Sequence, residues 1–317
     1  MTRKALAAQM ELTDKDMCLL RCLGHYGNMY SVDSKYIYGS ASYGLKRLSR
    51  LSKANYINRG GGYVRLGVEG RKVLEVEGSV INRPNYRDQL KLRSAMMCRL
   101  SMVVKGWRFE DSTSMARQQK GSGYYQMLGK LKNGSGKEVA VYYIRDKASK
   151  TEQTMISKEV RQLGEQGIEE ILYILESEAC LEILSVYDLP ITPHRHCYIF
   201  NKEGEYVKWS SLNKVERESE GLRLLGERVG QEVKRESGSG YDGYLILHDK
   251  KYMVLDLLLP DLKKEQDLGG RIMVLQNRIS SAYIPTTVVC YELMSEYYKQ
   301  KYPSENICII PDPNGSD

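Results

Sequence analysis

Two sets of residues in this 317-residue chain have the types and spacing to do chemistry. The first is a run of hydroxyls and cations, Ser42, Tyr43, Lys46, Arg47, Arg50 and Lys53, followed shortly by Arg59, Tyr63 and Arg65. Such groups donate hydrogen bonds to phosphate oxygens and to base edges in a major groove. The second is a pair of acids, Asp242 and Asp256, in Tyr241-Asp242-Gly243-Tyr244 and Leu255-Asp256-Leu257-Leu258. Two carboxylates at the ends of adjacent strands can share a divalent cation that activates water.

Other groupings are weaker. Cys18, Cys22 and His25 recur about one turn apart on a helix, but three local ligands do not complete a metal site, and cysteine packs well in a core. In His194-Arg195-His196-Cys197, strand alternation sends His196 and Cys197 to opposite faces. No metal and no cofactor is expected at either place. The chain has no Walker-type phosphate loop, no Gly-x-Ser-x-Gly elbow and no His-Glu-x-x-His helix, so no residue is assigned a catalytic role.

The elements that must position these residues can be read from periodicity. Thr13-Asp14-Lys15-Asp16 caps a first helix that buries Leu12, Met17, Leu20 and Leu23 and ends near Gly24. A short helix follows over Ser31 to Tyr38. A third runs from about Ser40 to Ala54, its core stripe expected to be Leu45, Leu48 and Leu51, with the basic and hydroxyl residues on the other faces. Asn55 to Arg59 and Tyr63 to Leu66 flank Gly60-Gly61-Gly62 and predict a hairpin. Gly67 to Glu75 predicts a closing helix with Val68, Val73 and Leu74 inward. Three helices and a tight hairpin are the order of a winged helix-turn-helix, whose third helix enters the major groove while the wing reaches the backbone.

A longer helix is predicted from about Asn85 to Lys105, and the polar stretch from Gly106 to Gly123 reads as a linker. The expected organisation is a DNA-binding domain over 1–82, a connecting helix and linker over 83–123, and an α/β domain over 124–317. In that last part, Asn133-Gly134 and Asp249-Lys250 mark hairpins. Strands are expected near Ile171 to Leu175, His196 to Phe200, Tyr206 to Trp209, Thr286 to Tyr291 and Asn306 to Ile310. Helices are expected over Thr151 to Gly167, Glu178 to Tyr187, Asn213 to Arg235, within Leu262 to Ile279, and over Glu292 to Lys301. This alternation predicts a mixed sheet, and no internal repeat is visible in the sequence.

Charge is divided along the chain. The total is +7, yet Met1 to Phe109 holds 20 Lys+Arg against 8 Asp+Glu, and the remainder holds 27 against 32. The basic third is the part suited to a polyanion. The 24 Tyr against 2 Phe and 2 Trp carry no mechanism. The first ten residues are too short for a secretory core, and no apolar run reaches about 18 residues. Seven scattered Cys fit reduced thiols. A cytoplasmic location without membrane attachment is the expectation.

Leu12-Thr13-Asp14-Lys15-Asp16, Lys46-Arg47-Leu48-Ser49-Arg50-Leu51 followed by Asn55-Tyr56-Ile57, and Leu66-Gly67-x-x-Gly70 together resemble the replication-relaxation family of Gram-positive plasmids and conjugative elements. The distal strand pair with Asp242 and Asp256 is similar to that family's nuclease-like second domain. Nucleases of the restriction-endonuclease fold place a lysine two residues after the second acid, and here that position is Leu258. The resemblance implies an N-terminal winged helix plus a degenerate nuclease-like α/β domain. It further implies a sequence-specific binder of double-stranded DNA, acting in replication, transfer or transcription. A homodimer, with other plasmid replication or transfer proteins as further partners, is expected from the same reading. The alternative is a Mg²⁺-dependent nuclease or nickase using Asp242 and Asp256.

Overall fold

A computed structural model of the chain describes residues 10–118, 126–185, 193, 195–202, 205–206, 209–210, 220–235, 241–276, 286–303 and 305–311. The fold is mixed α/β, as the alternation predicts. It divides into two compact units, Met1–Gln118 and Gln119–Asp317.

The first unit opens with α1 (Asp14–Tyr26), whose N-terminus is closed by a capping box between Thr13 and Asp16. Then come β1 (Met29–Tyr30), a 3₁₀ turn, α2 (Ser34–Tyr38) and α3 (Ala41–Lys53). Asn55 ends α3 in the left-handed conformation, with its N–H on Ser52 and that of Tyr56 on Leu51, so the chain turns directly into the hairpin. The hairpin is β2 (Ile57–Gly60) and β3 (Tyr63–Leu66), turned by Gly61 and Gly62 at positive φ. β3 also pairs with β1, giving a three-stranded sheet in the order β1-β3-β2.

Helix α4 (Val68–Val76) starts hard against the hairpin: a Cβ on Gly67 or Gly70 would come within 2.2 Å of the Asn55 or Tyr56 carbonyl oxygen. The core joins Leu19, Leu20, Leu23, Leu48, Leu51, Ile57, Val64, Leu66 and Leu74.

Three expectations for this unit are corrected. Leu45 is 37% exposed, because the inward stripe of α3 is Gly44, Leu48 and Leu51, at i, i+4 and i+7. Val68 is 55% exposed, since Gly70 and Leu74 take the inner positions of α4. Helix α5 (Asp88–Val103) forms within the span expected for the connecting helix. Leu90 near its start is exposed, while its later half buries Ala95, Met96, Cys98, Leu100 and Val103, with Cys98 in the core. The stretch read as linker holds β4 (Trp107–Asp111) and α6 (Ser112–Gln118), anchored by buried Trp107 and Met115. The rest of that stretch lies outside the described residues.

The second unit repeats one order of elements. Strands β5 (Met127–Asn133) and β6 (Glu138–Ile144) form a hairpin, followed by α7 (Lys150–Glu165), β7 (Glu170–Leu175), α8 (Cys180–Ser185) and β8 (Arg195–Phe200). β6, β7 and β8 run parallel. After α9 (Glu220–Val229) and β9 (Lys234–Arg235), β10 (Gly243–Leu247) and β11 (Lys250–Asp256) form a second hairpin. Its turn places His248 and Asp249 at positive φ. Then follow α10 (Leu262–Gln276), β12 (Thr286–Tyr291), α11 (Glu292–Lys301) and β13 (Asn306–Ile310). β11, β12 and β13 are again parallel, and the sheet order is β13-β12-β11-β10-β9.

Hairpin, helix, strand, helix, strand thus occurs twice, although no internal repeat is visible in the sequence. The expected strand at Tyr206 to Trp209 is overturned: the described residues there are helical, and Tyr206 and Trp209, three apart, are both buried. A helical turn puts them on one side, where a strand would send them to opposite faces. Residues 211–219, the start of the expected charged helix, lie outside the described residues, and so does His194.

Candidate nucleic-acid interface and acidic pair

The basic face of α3 is set by which side of the helix the core takes. With Gly44, Leu48 and Leu51 inward, Ser42, Tyr43, Lys46, Arg50 and Lys53 are exposed, Tyr43 at 52%. Lys46, Arg50 and Lys53 lie at i, i+4 and i+7 and form one stripe. Tyr43 meets Tyr38 edge-on with ring centres 5.9 Å apart.

Arg47 behaves differently from its neighbours. It borders the buried stripe, and its side chain, 12% exposed, turns onto Asp16 of α1. Nε donates to both Asp16 oxygens at 2.9 and 3.2 Å, and Nη2 donates both to the same carboxylate and to the Glu11 carbonyl. Asp16 also accepts from the Tyr38 hydroxyl at 2.7 Å and from the Thr13 N–H and hydroxyl, each at 2.8 Å. Burial works against ionisation of Asp16, and these donors, Arg47 first, outweigh it and hold the carboxyl below its ordinary range. Arg47 is therefore spent on joining α3 to α1.

The hairpin residues are held from behind. Tyr63 stacks on Tyr30 at 5.2 Å, and the Arg99 guanidinium of α5 lies 4.5 Å over Tyr30 while bonding buried Asp33 at 2.8 to 3.1 Å. Arg65 lies 4.9 Å over the Tyr86 ring. Arg59 is exposed on β2.

Both described histidines of the cysteine and histidine groupings, His25 and His196, have partners within the protein. His25 bonds Asp111 at 2.8 Å, and buried His196 is held between the Tyr173 hydroxyl at 3.2 Å and the Pro193 carbonyl at 3.0 Å. Burial pushes the Cys197 thiol up. Among the described residues, no three ligand-type side chains come together to hold a metal.

The structure does bring Asp242 and Asp256 together, and adds a residue that sequence spacing misses. Asp242 Oδ2 accepts the Asp256 N–H at 2.8 Å, and its Oδ1 accepts Lys264 Nζ at 2.7 Å. Lys264, from the first turn of α10, also reaches the Asp256 carbonyl at 3.3 Å. Asp256 Oδ1 accepts from Leu258 N–H at 3.0 Å and Oδ2 from Gly221 N–H at 2.8 Å, where α9 begins. A Cβ on Gly221 would lie 2.3 Å from the Asp256 carboxyl carbon, so only glycine lets α9 approach.

Burial raises the Asp256 carboxyl, only partly offset by Lys264 and the two backbone donors. Asp261, which caps α10 by accepting from the N–H of Lys263 at 2.9 Å, is raised by burial in the same way. A lysine is thus present at the acids although position 258 is leucine. The signal that marks it is Asp261-Leu262-Lys263-Lys264, a cap residue followed by a helix whose first turn must face the strand ends.

No family model matches this chain, and no curated protein matches it.

Proposed function

We propose that the chain is a sequence-specific double-stranded-DNA-binding protein of a plasmid or conjugative element, an accessory or regulatory factor in replication, transfer or transcription. Its first unit acts as a winged helix-turn-helix, with α3 in the major groove and the β2–β3 wing on the flanking backbone. One observation carries this reading. The Tyr43, Lys46, Arg50 and Lys53 face of α3 is exposed along its length while the opposite face is locked into the core, beside a glycine-turned hairpin in the most basic part of the chain. Binding as a homodimer to two half-sites supplies the specificity that one small domain lacks. The test is a mobility shift on DNA that the protein itself retains from sheared genomic fragments. Lys46→Ala with Arg50→Ala is expected to weaken binding about tenfold or more at about 0.1 M salt. Unchanged binding overturns the assignment.

Lys264 favours a second reading, a degenerate or active nuclease-like second unit that uses Asp242, Asp256 and Lys264 on a divalent cation. Against it, each carboxylate oxygen of the pair already accepts a donor from the protein, which is the arrangement of a structural clasp. Plasmid incubated with the protein and Mg²⁺ or Mn²⁺ separates the two. Nicking that disappears in both Asp256→Ala and Lys264→Ala establishes the enzyme; no nicking leaves the binding role alone.

A further inference from the structure

The end of the second sheet made by β9, β10 and β11 gathers positive charge that the acidic pair does not use. Residues paired across antiparallel strands project from the same face. The register therefore puts Lys234 beside Tyr244, and Lys251 beside Ile246, all on one face. Lys234 and Lys251 are exposed, Ile246 is 44% exposed and Tyr244 is half-buried. The Lys251 ammonium lies 4.3 Å over the Tyr244 ring. At the foot of β10, Arg271 of α10 lies 4.5 Å over the Tyr241 ring. On the other face Leu245 and Val254 enter the core with Leu222 and Leu225 of α9, but the strand-end cations Arg235 and Lys250 stay exposed.

Lys234 and Arg235 on β9 and Lys250 and Lys251 on β11 thus flank β10 from either side, with strands spaced about 4.8 Å apart, Lys234 and Lys251 on the Tyr244 face and Arg235 and Lys250 on the other, and Arg271 stands on the adjoining helix. Among the described residues the exposed acids nearest in sequence are Glu232 before β9, Asp249 in the hairpin turn, and Asp267 one turn before Arg271; Glu236, which follows Arg235, lies outside them. This concentration occurs in the part of the chain where acids outnumber bases overall. Cations interleaved with tyrosines and an exposed isoleucine suit an unpaired nucleic-acid strand. Its phosphates meet the cations, and its bases present apolar faces that duplex DNA keeps stacked inside.

We propose that this end of the second unit is a binding surface for single-stranded nucleic acid, additional to the duplex-binding face of the first unit. The surface is defined by its own residues and stands whether or not the first unit binds duplex.

The test is fluorescence anisotropy of the full chain on a labelled 20-nucleotide oligothymidine and on a labelled 20-base-pair duplex. One variant carries Lys234→Gln, Arg235→Gln, Lys250→Gln and Lys251→Gln; the other carries Lys46→Ala, Arg50→Ala and Lys53→Ala. The first is expected to lose about tenfold in affinity for oligothymidine at about 0.1 M salt, with the log–log salt slope shallower by about 3, while the second keeps it. Lys251→Gln alone, in case the quadruple variant melts early, is expected to lose about twofold to threefold.

Wild-type protein that does not hold oligothymidine overturns the proposal, and so does a folded quadruple variant that holds it with wild-type affinity and slope. Failure of the triple variant to weaken duplex binding overturns the reading of the first unit and leaves this one standing.

Discussion

Arg47 and Arg50 are three residues apart on one helix and are predicted to fail in different ways. Arg50 is exposed, whereas Arg47 is clasped to a buried carboxylate. Removing one partner of a buried pair leaves the other charge uncompensated, so Arg47→Ala should cost about 2–4 kcal/mol of stability. Arg50→Ala should stay within about 0.5 kcal/mol. Urea unfolding of both variants checks this, and equal midpoints would remove the structural role of Arg47. A duplex-binding defect in Arg47→Ala then has to be read after correction for the unfolded fraction. Gly221 offers a second residue-scale test in the other unit. Gly221→Ala forces a methyl against the Asp256 carboxyl, with an expected cost of about 1–3 kcal/mol. A thermal melt unchanged by that substitution would show that α9 does not depend on the close approach.

At the scale of elements, the first unit is held by polar clasps as well as by its leucine core. Asp16 serves two elements at once, as the capping partner of Thr13 on α1 and as the anchor of Arg47 from α3. Its carboxyl is lowered in the folded state, so its contribution is fully present above the unfolded-state value of about 3.9 and is lost as pH falls through the folded value. The stability difference between wild type and Asp16→Asn should be flat above about pH 5 and shrink below about pH 4. Urea midpoints between pH 6 and pH 2.5 measure it; a difference that stays constant into acid contradicts the linkage.

Much of the element layout is legible before any coordinates. The three hairpins, the Thr13 cap, β12, α11 and β13 follow from turn residues, capping residues and runs of apolar side chains. What periodicity misjudges is which apolar residue on a helix faces in. Leu45 and Val68 are long or branched and read as core, yet Gly44 and Gly70 hold the inner positions because backbone or a neighbouring side chain comes too close for anything larger.

At the scale of the molecule, the division of charge gives the chain two separable binding expectations. A salt titration of duplex binding by the wild-type protein should fall steeply, by about one power of salt concentration per phosphate contact. Neutralising Lys46, Arg50 and Lys53 together should flatten that slope by about 3. An unchanged slope would place the duplex contacts elsewhere on the protein. The net balance of the second unit, by contrast, is a poor guide to its surface. Among its described acids Glu170 and Asp261 are buried, while Lys234, Arg235, Lys250 and Lys251 stand exposed on β9 and β11.

By itself the sequence determined the basic, hydroxyl-rich third helix, the glycine-turned hairpin, the alternation of the second part and the candidate pair Asp242 and Asp256. All of these are local in the chain, and turn chemistry, capping and helical or strand period act over a few residues. Only the tertiary structure decided that Arg47 is a clasp, that one order of elements occurs twice, that Lys264 stands on Asp242, and that Lys234 and Lys251, from two strands, flank Tyr244 and Ile246 on one face of the sheet. Those facts depend on which residues distant in sequence are brought within about 3 to 5 Å, and packing of whole elements sets such distances where local preference does not.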